Sequence, residues 1–327
     1  MQDYTRIIKE NLNNCLTETD LNIGTKRPGK VRDTYEMEEE LILVTTDRQS
    51  AFDRILAAIP FKGQVLNQTS AWWFEKTEHI IRNHVLSIPD PNVTVAQKCS
   101  IFPVEFVVRD YITGTTDTSL WVNYSKGVRN FCGNDLPEGL CKNEKLDHSI
   151  LTPTTKAEDH DRSISPDEIV NEGYLDEKDW IVASQAALAL FEFGQEVTRN
   201  HGLTLVDTKY EFGKDSEGNI FLIDEIHTPD SSRFWISDTY AERFAKGEEP
   251  ENIDKEFLRL WFVNHCDPYH DKTLPDAPEE LVIELSKRYI KLFEMITGEL
   301  FSFPSEHQSV KERIQDNLSQ YLCRKDF

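Results

Sequence analysis

The stretch that most constrains this chain is residues 203–235, LTLVDTKYEFGKDSEGNIFLIDEIHTPDSSRFW. Residues 203–212 are rich in apolar and β-branched types, with Asp207, Lys209 and Glu211 at every second position. Side chains alternate across a strand, so these three share one face. Residues 214–219, KDSEGN, carry turn chemistry, and Ile220, Phe221, Leu222 and Ile223 begin a return strand. Pairing Lys214 with Asn219 predicts Lys209 opposite Asp224, with Glu211 diagonal to it. A one-residue slip would turn Asp224 to the other face and bring Glu225 round instead.

Two carboxylates and a lysine on one strand face suit Mg²⁺ bound to nucleotide phosphates. Mg²⁺ takes one or two carboxylates and draws its remaining ligands from phosphate oxygens and water. A surface hairpin with a cross-strand salt bridge reads from the same residues. The tail of the segment favours the first reading. Residues 224–235, DEIHTPDSSRFW, resemble the signature G-D-E-x-x-[ST]-P-D-x-x-R-[FLY]-W of the SAICAR synthetase family, with Ile223 in place of the usual glycine. Upstream, residues 207–213, DTKYEFG, resemble that family's D-x-K-x-E-F-G.

Further motifs follow the family's order. Residues 23–35, IGTKRPGKVRDTY, read as strand, glycine turn, strand, and they lack the G-x-x-x-x-G-K-[ST] and helix of a Walker loop. A glycine hairpin can lie over phosphates, as in protein kinases, or be an ordinary hairpin. It resembles the family's G-K-x-[RK]-D-x-Y opening, and that resemblance implies Gly29, Lys30 and Arg32 as ATP contacts. Residues 46–53, TDRQSAFD, match T-D-R-x-S-A-[FY]-D. Physically they form a polar loop after an apolar strand, where sites often sit, or an Asx-type turn holding the chain. Residues 102–109, FPVEFVVR, resemble the family's lobe-linking P-x-E-x-[VI]-V-R, which implies that Glu105 borders the adenine. Residues 109–115, RDYITGT, resemble R-G-Y-x-x-G-S, with Asp110 and Thr115 departing from it. Threonine keeps the hydroxyl, whereas Asp110 adds an acid beside a proposed anion site. Residues 152–165, TPTTKAEDHDRSIS, match [ST]-x-K-x-x-x-x-H-D. They read as a mobile lid or a solvated connection.

Composition limits the partners. Of 327 residues, 58 are acidic and 36 basic, a net charge of −22, so a broad basic face for nucleic acid is not expected. Small anionic substrates would need a few Lys and Arg concentrated locally. No apolar run reaches membrane-spanning length, and the N-terminus has no basic start followed by an apolar run. The six cysteines form no C-x-x-C, which fits a reduced cytoplasmic protein.

Strands dominate to about Val108 and long helices after Trp180, with helices expected over 180–200, 237–245, 253–263, 278–297 and 306–322. That order predicts an α+β chain. The resemblance implies a two-lobed, kinase-like or ATP-grasp-like fold. Its expected units are a β-rich ATP-binding lobe over 1–105 and an α/β lobe over 106–327, with C-terminal helices in the second.

The implied reaction joins carboxyaminoimidazole ribonucleotide (CAIR) to L-aspartate with ATP. Its implied sites are Glu211 and Asp224 for Mg²⁺, Lys30 and Lys209 for ATP phosphates, and Arg109, Thr115, Asp230 and Arg233 for CAIR. Lys156, Asp161 and Arg162 are expected near aspartate, and the assembly is a monomer or homodimer. A small-molecule kinase and a non-catalytic nucleotide-binding regulator are the alternatives.

Overall fold

The computed structural model describes residues 3–52, 54–156, 162–253, 256–305 and 308–325. The chain divides into two units. The first comprises Met1–Trp72, Val85–Lys98 and Ile253–Phe327, the second Trp73–His84 and Cys99–Asn252.

The first unit holds an antiparallel five-stranded sheet in the order Thr25–Pro28, Arg32–Glu36, Glu40–Thr45, Val93–Gln97, Val85–Asp90. Its apolar face, with Tyr35, Ile42, Val44, Val93 and Val95, packs against Val310, Ile314 and Leu318 of the C-terminal helix Val310–Lys325. Arg313 of that helix grips Asp90 at 3.0 and 3.1 Å. A second core joins Ile8, Ile59 and Val65 to Leu285, Tyr289, Ile290 and Phe293 of the helix Glu279–Thr297. The division expected from the sequence, 1–105 and 106–327, assigns residues 253–327 to the second lobe. Here the apolar stripes of these helices instead complete the first unit's core. A helical stripe declares that it will be buried but not against which element.

The second unit is built on an antiparallel seven-stranded sheet around the central strand Leu203–Lys214. That strand pairs with Val104–Tyr111 and Ser232–Ile236 along one part, and with Ile220–Ile223 and Ser100–Ile101 along the other. Lys145–Leu151 and Thr154–Thr155 add to Val104–Tyr111. Thr154–Thr155 lies in the segment 152–165 that reads from sequence as a lid or solvated connection, because strand pairing rather than local pattern defines it.

Even-numbered residues of the central strand, Val206, Tyr210 and Phe212, are fully buried. Phe106, paired with Tyr210, stacks on Trp180 of the helix Glu177–Asn200 at 5.3 Å and meets Phe212 at 5.0 Å. With the even face committed to the core, alternation leaves the odd face to Asp207, Lys209 and Glu211.

Candidate functional site

On the odd face, Lys209 Nζ lies 2.8 Å from Glu105 Oε1 and 2.9 Å from Glu211 Oε1. Lys156 pairs with the other oxygen of Glu211, and Thr154 donates to Glu105 at 3.2 Å. Burial opposes the Lys209 charge, but Glu211, Glu105 and Asp224 outweigh it and raise its pKa. Three carboxylates therefore address one ammonium.

Asp224 reaches this cluster by a route the sequence did not indicate. The expected pairing of Lys214 with Asn219 is not the one observed. The ladder runs Lys214–Ile220 to Glu211–Ile223. Asn219 is consumed by the turn: its amide donates to Asp215 Oδ1 at 2.8 Å, and its carbonyl accepts from the Asp215 amide at 3.0 Å. Continued pairing would place Asp224 on the apolar face beside Tyr210. Instead the strand ends at Ile223 and Asp224 adopts φ 67°, which breaks the alternation.

Two residues along the central strand from Lys209 and four from Glu211, the latter roughly 13 Å at about 3.3 Å per residue, a row of charges crosses three strands. Asp207 is paired in register with Arg109 on one side and Arg233 on the other. Its Oδ2 lies 3.6 Å from Arg109 Nη1 and 3.4 Å from Arg233 Nη1. Arg109 is buried and also donates to Thr152 Oγ1 at 2.8 Å and to the Thr118 carbonyl at 3.2 Å. Burial lowers its pKa against the opposing pull of Asp207. Arg233 keeps 29% of its side chain exposed, so this is the guanidinium open to an anion. Thr115 stands exposed in the adjoining turn. Asp110 points to the other face, where it accepts from Ser149 and Gln195 at 2.9 and 2.8 Å. Alternation thus removes the acid that the sequence placed beside the anion site.

Asp230 lies in a turn knit by Thr228, whose Oγ1 accepts the amides of Asp230 and Ser231 at 3.2 and 3.1 Å. The Ser231 carbonyl accepts the Lys209 amide at 3.2 Å, which ties this turn to the central strand. Arg162 does not join the site. It pairs with Glu172 at 2.6 Å and Glu168 at 3.6 Å. Asp161 lies outside the described residues.

In the first unit, Gly29 and Lys30 form the tip between Thr25–Pro28 and Arg32–Glu36. A Cβ at Gly29 would stand 2.5 Å from the Arg32 carbonyl oxygen, so the turn requires glycine. Arg48, which the sequence reading did not single out, braces this tip. It donates to the carbonyls of Gly29 at 2.8 Å, Lys30 at 3.1 Å and Thr17 at 2.8 Å, and to Asp33 at 2.7 Å. Asp47 accepts the amides of Leu16 at 2.6 Å and Gly63 at 2.8 Å, while burial pushes its carboxyl up to about 6. The T-D-R segment thus holds backbone.

On the second unit's apolar face, burial drives His227 down to about 3. An unfolded histidine titrates near 6.5. Between these values the unfolded chain binds a proton that the folded chain does not. Stability is therefore complete above about pH 6.5 and falls as pH drops toward 3, by up to about 1.4 kcal/mol per pH unit. His227→Gln should flatten that slope by close to one proton, measured by urea unfolding across the window. An unchanged slope would mean that folded His227 is charged.

The carboxylates of the face are hard oxygen donors, as Mg²⁺ requires, while Lys209 and Lys156 are cations that balance Glu211 rather than ligands. Among the described residues no three His, Cys, Asp or Glu gather as a metal site, so a cation here would draw most ligands from phosphate and water. A separate cavity of about 590 Å³, bordered by Phe131, Cys132, Ser163 and Ser165, includes none of these charged residues.

The chain matches the SAICAR synthetase family model over residues 26–275. It is 62% identical over 308 residues to phosphoribosylaminoimidazole-succinocarboxamide synthase of Legionella pneumophila (strain Lens), across 94% of this chain and 99% of the relative. The structure of SAICAR-synthase from Saccharomyces cerevisiae complexed with SAICAR is similar at 31% identity and a TM-score of 0.77, covering 88% of this chain and 100% of that one. A SAICAR synthetase (Type-2) in complex with ADP matches at 25% identity and a TM-score of 0.65, over 85% of this chain and 100% of that one.

Proposed function

The chain belongs to the SAICAR synthetase family, and from that premise we propose that the charged face of the second unit carries its chemistry. The activity is the ATP-dependent joining of the CAIR carboxylate to the amine of L-aspartate, giving SAICAR, ADP and phosphate in purine biosynthesis. The observation that carries the assignment is Lys209 held between Glu105 and Glu211, with the charge of Asp224 beside it.

A carboxylate is a poor acyl donor because its oxygen leaves badly. Transfer of the γ-phosphoryl of ATP to a CAIR carboxylate oxygen makes an acyl phosphate and releases ADP. The aspartate amine then attacks the acyl carbon, loses a proton and expels phosphate. Both steps need positioning and charge neutralisation more than a protein nucleophile. Glu211 and Asp224 would hold Mg²⁺, which when bound supplies positive charge at the phosphoryl oxygens. Lys209 would steady the phosphates, and Glu105 would orient Lys209 and border the nucleotide. Gly29, Lys30 and Arg32 of the first unit's hairpin would contact ATP.

Arg109, Thr115 and Arg233 would take the ribose phosphate of CAIR, where a guanidinium fork matches phosphate oxygens. Asp230 would accept from CAIR's polar edge. Lys156, already on Glu211, and Asp161 would serve aspartate. We place the enzyme in the cytoplasm as a monomer or homodimer that binds neither nucleic acid nor membrane. Support comes from six free cysteines, a net charge of −22 and, among the described residues, no helix long and apolar enough to cross a membrane.

The test follows an oxygen atom. CAIR labelled with ¹⁸O in its carboxylate should give inorganic phosphate carrying one labelled oxygen, in step with SAICAR formation. Unlabelled phosphate formed alongside SAICAR would sink the acyl-phosphate route.

A further inference from the structure

Tyr210 stands between Lys209 and Glu211 but points to the buried face, where its hydroxyl meets Nε2 of His227. His227 is fully buried, its ring edge-on to Trp73 at 4.7 Å. It ends a four-residue segment that begins with Asp224, and both ends are left-handed, at φ 67° and 47°. Such conformations strain a residue with a Cβ and persist only where surroundings over-determine them. One such constraint comes from the helix Glu177–Asn200: a Cβ at Gly194 would lie 2.3 Å from His227 Cε1.

The second ring nitrogen, Nδ1, has no hydrogen-bond partner among the described residues. Whichever tautomer forms, one buried polar atom goes unmatched, which costs stability that an apolar pair of similar shape would keep. Stability alone does not favour a histidine here. Its one polar bond goes to the strand residue flanked by the lysine and a carboxylate of the site.

We propose that Tyr210 and His227 are a positioning pair that fixes Asp224 relative to Lys209 and Glu211, so that both carboxylates address one cation. The bond links the two segments that carry those carboxylates, from the far side of the sheet. This inference rests on the reading that Glu211 and Asp224 hold Mg²⁺.

The experiment measures kcat, KM for CAIR and ATP, melting temperature, and the Kd of Mn²⁺ for the enzyme–ADP complex by electron paramagnetic resonance. Tyr210→Phe deletes one oxygen. It should lower kcat and weaken Mn²⁺ binding about 10–100-fold, the range for losing a group that orients a metal ligand, with both KM values little changed. His227→Leu should behave alike. His227→Gln, whose amide can reach the place of Nε2, should restore most of both. Tyr210→Phe with parental kcat and Mn²⁺ affinity overturns the proposal. So does a uniform loss in kcat, both KM values and melting temperature, which would mark packing alone. Glu211→Gln is the control. If it keeps Mn²⁺ binding and turnover, the metal reading itself fails and the pair falls with it. If it loses both while Tyr210→Phe is parental, only the pair falls.

Discussion

Replacing Glu211 with glutamine is expected to lower kcat by about a hundredfold or more, the scale of removing a major transition-state stabiliser. The substitution keeps shape and removes one negative charge from between two ammonium groups. Lys209 keeps Glu105 at 2.8 Å, so no buried cation is left without a partner and the fold should survive. The effect should therefore fall on turnover rather than on melting temperature. Asp224→Asn should act in the same direction. Steady-state kinetics with saturating CAIR, ATP and aspartate decide it, and near-normal turnover in Glu211→Gln would remove that residue from the site.

The arginine row should divide into two different losses. Arg109 is buried between Asp207, Thr152 and the Thr118 carbonyl. Arg109→Met leaves Asp207 with Arg233 but removes the buried donor to Thr152 and the Thr118 carbonyl, which should cost about 1–3 kcal/mol, and it should also raise KM for CAIR. Arg233 shares Asp207 but is partly exposed, so its ion pair contributes little to folding. Arg233→Lys keeps the charge and loses the fork. It should raise KM for CAIR about tenfold, the loss of roughly one good hydrogen bond to a charged group, while KM for ATP and the unfolding free energy barely move. Equal rises in both KM values would show that Arg233 serves ATP or the scaffold.

Much of this was legible in the chain before folding. The period-two placement of Asp207, Lys209 and Glu211 in a strand otherwise rich in apolar and β-branched residues commits them to one face. The helical stripes fell close to where the helices lie, and the ordered motifs pointed to the family that the comparisons bear out. These signals are local, set by backbone geometry and burial of one face, so a single sequence suffices to carry them.

What only the tertiary structure decided has a common physical cause: periodicity names a face but not a partner. Glu105 is two residues from Val107 and four from Arg109, so alternation puts them on one face, yet only strand pairing brings Glu105 to Lys209. Asp224 escapes alternation altogether, because one left-handed residue redirects the chain and no strand register predicts its heading. Arg48 and Asp47 lie in a polar loop that reads equally as a site or as a turn holding the chain, and they prove to be backbone braces, which local pattern could not decide because their partners lie 15 to 31 positions away in sequence. The helices of 256–325 advertise an apolar stripe without stating its destination, and burial settles it: Val310–Lys325 packs against the first sheet, while Glu256–His265 and Glu279–Thr297 pack with Ile8, Ile59 and Val65. The sequence by itself determined which residues could do this chemistry, and the long-range contacts determined which of them stand together, because turn hydrogen bonds and core packing are properties of the folded whole.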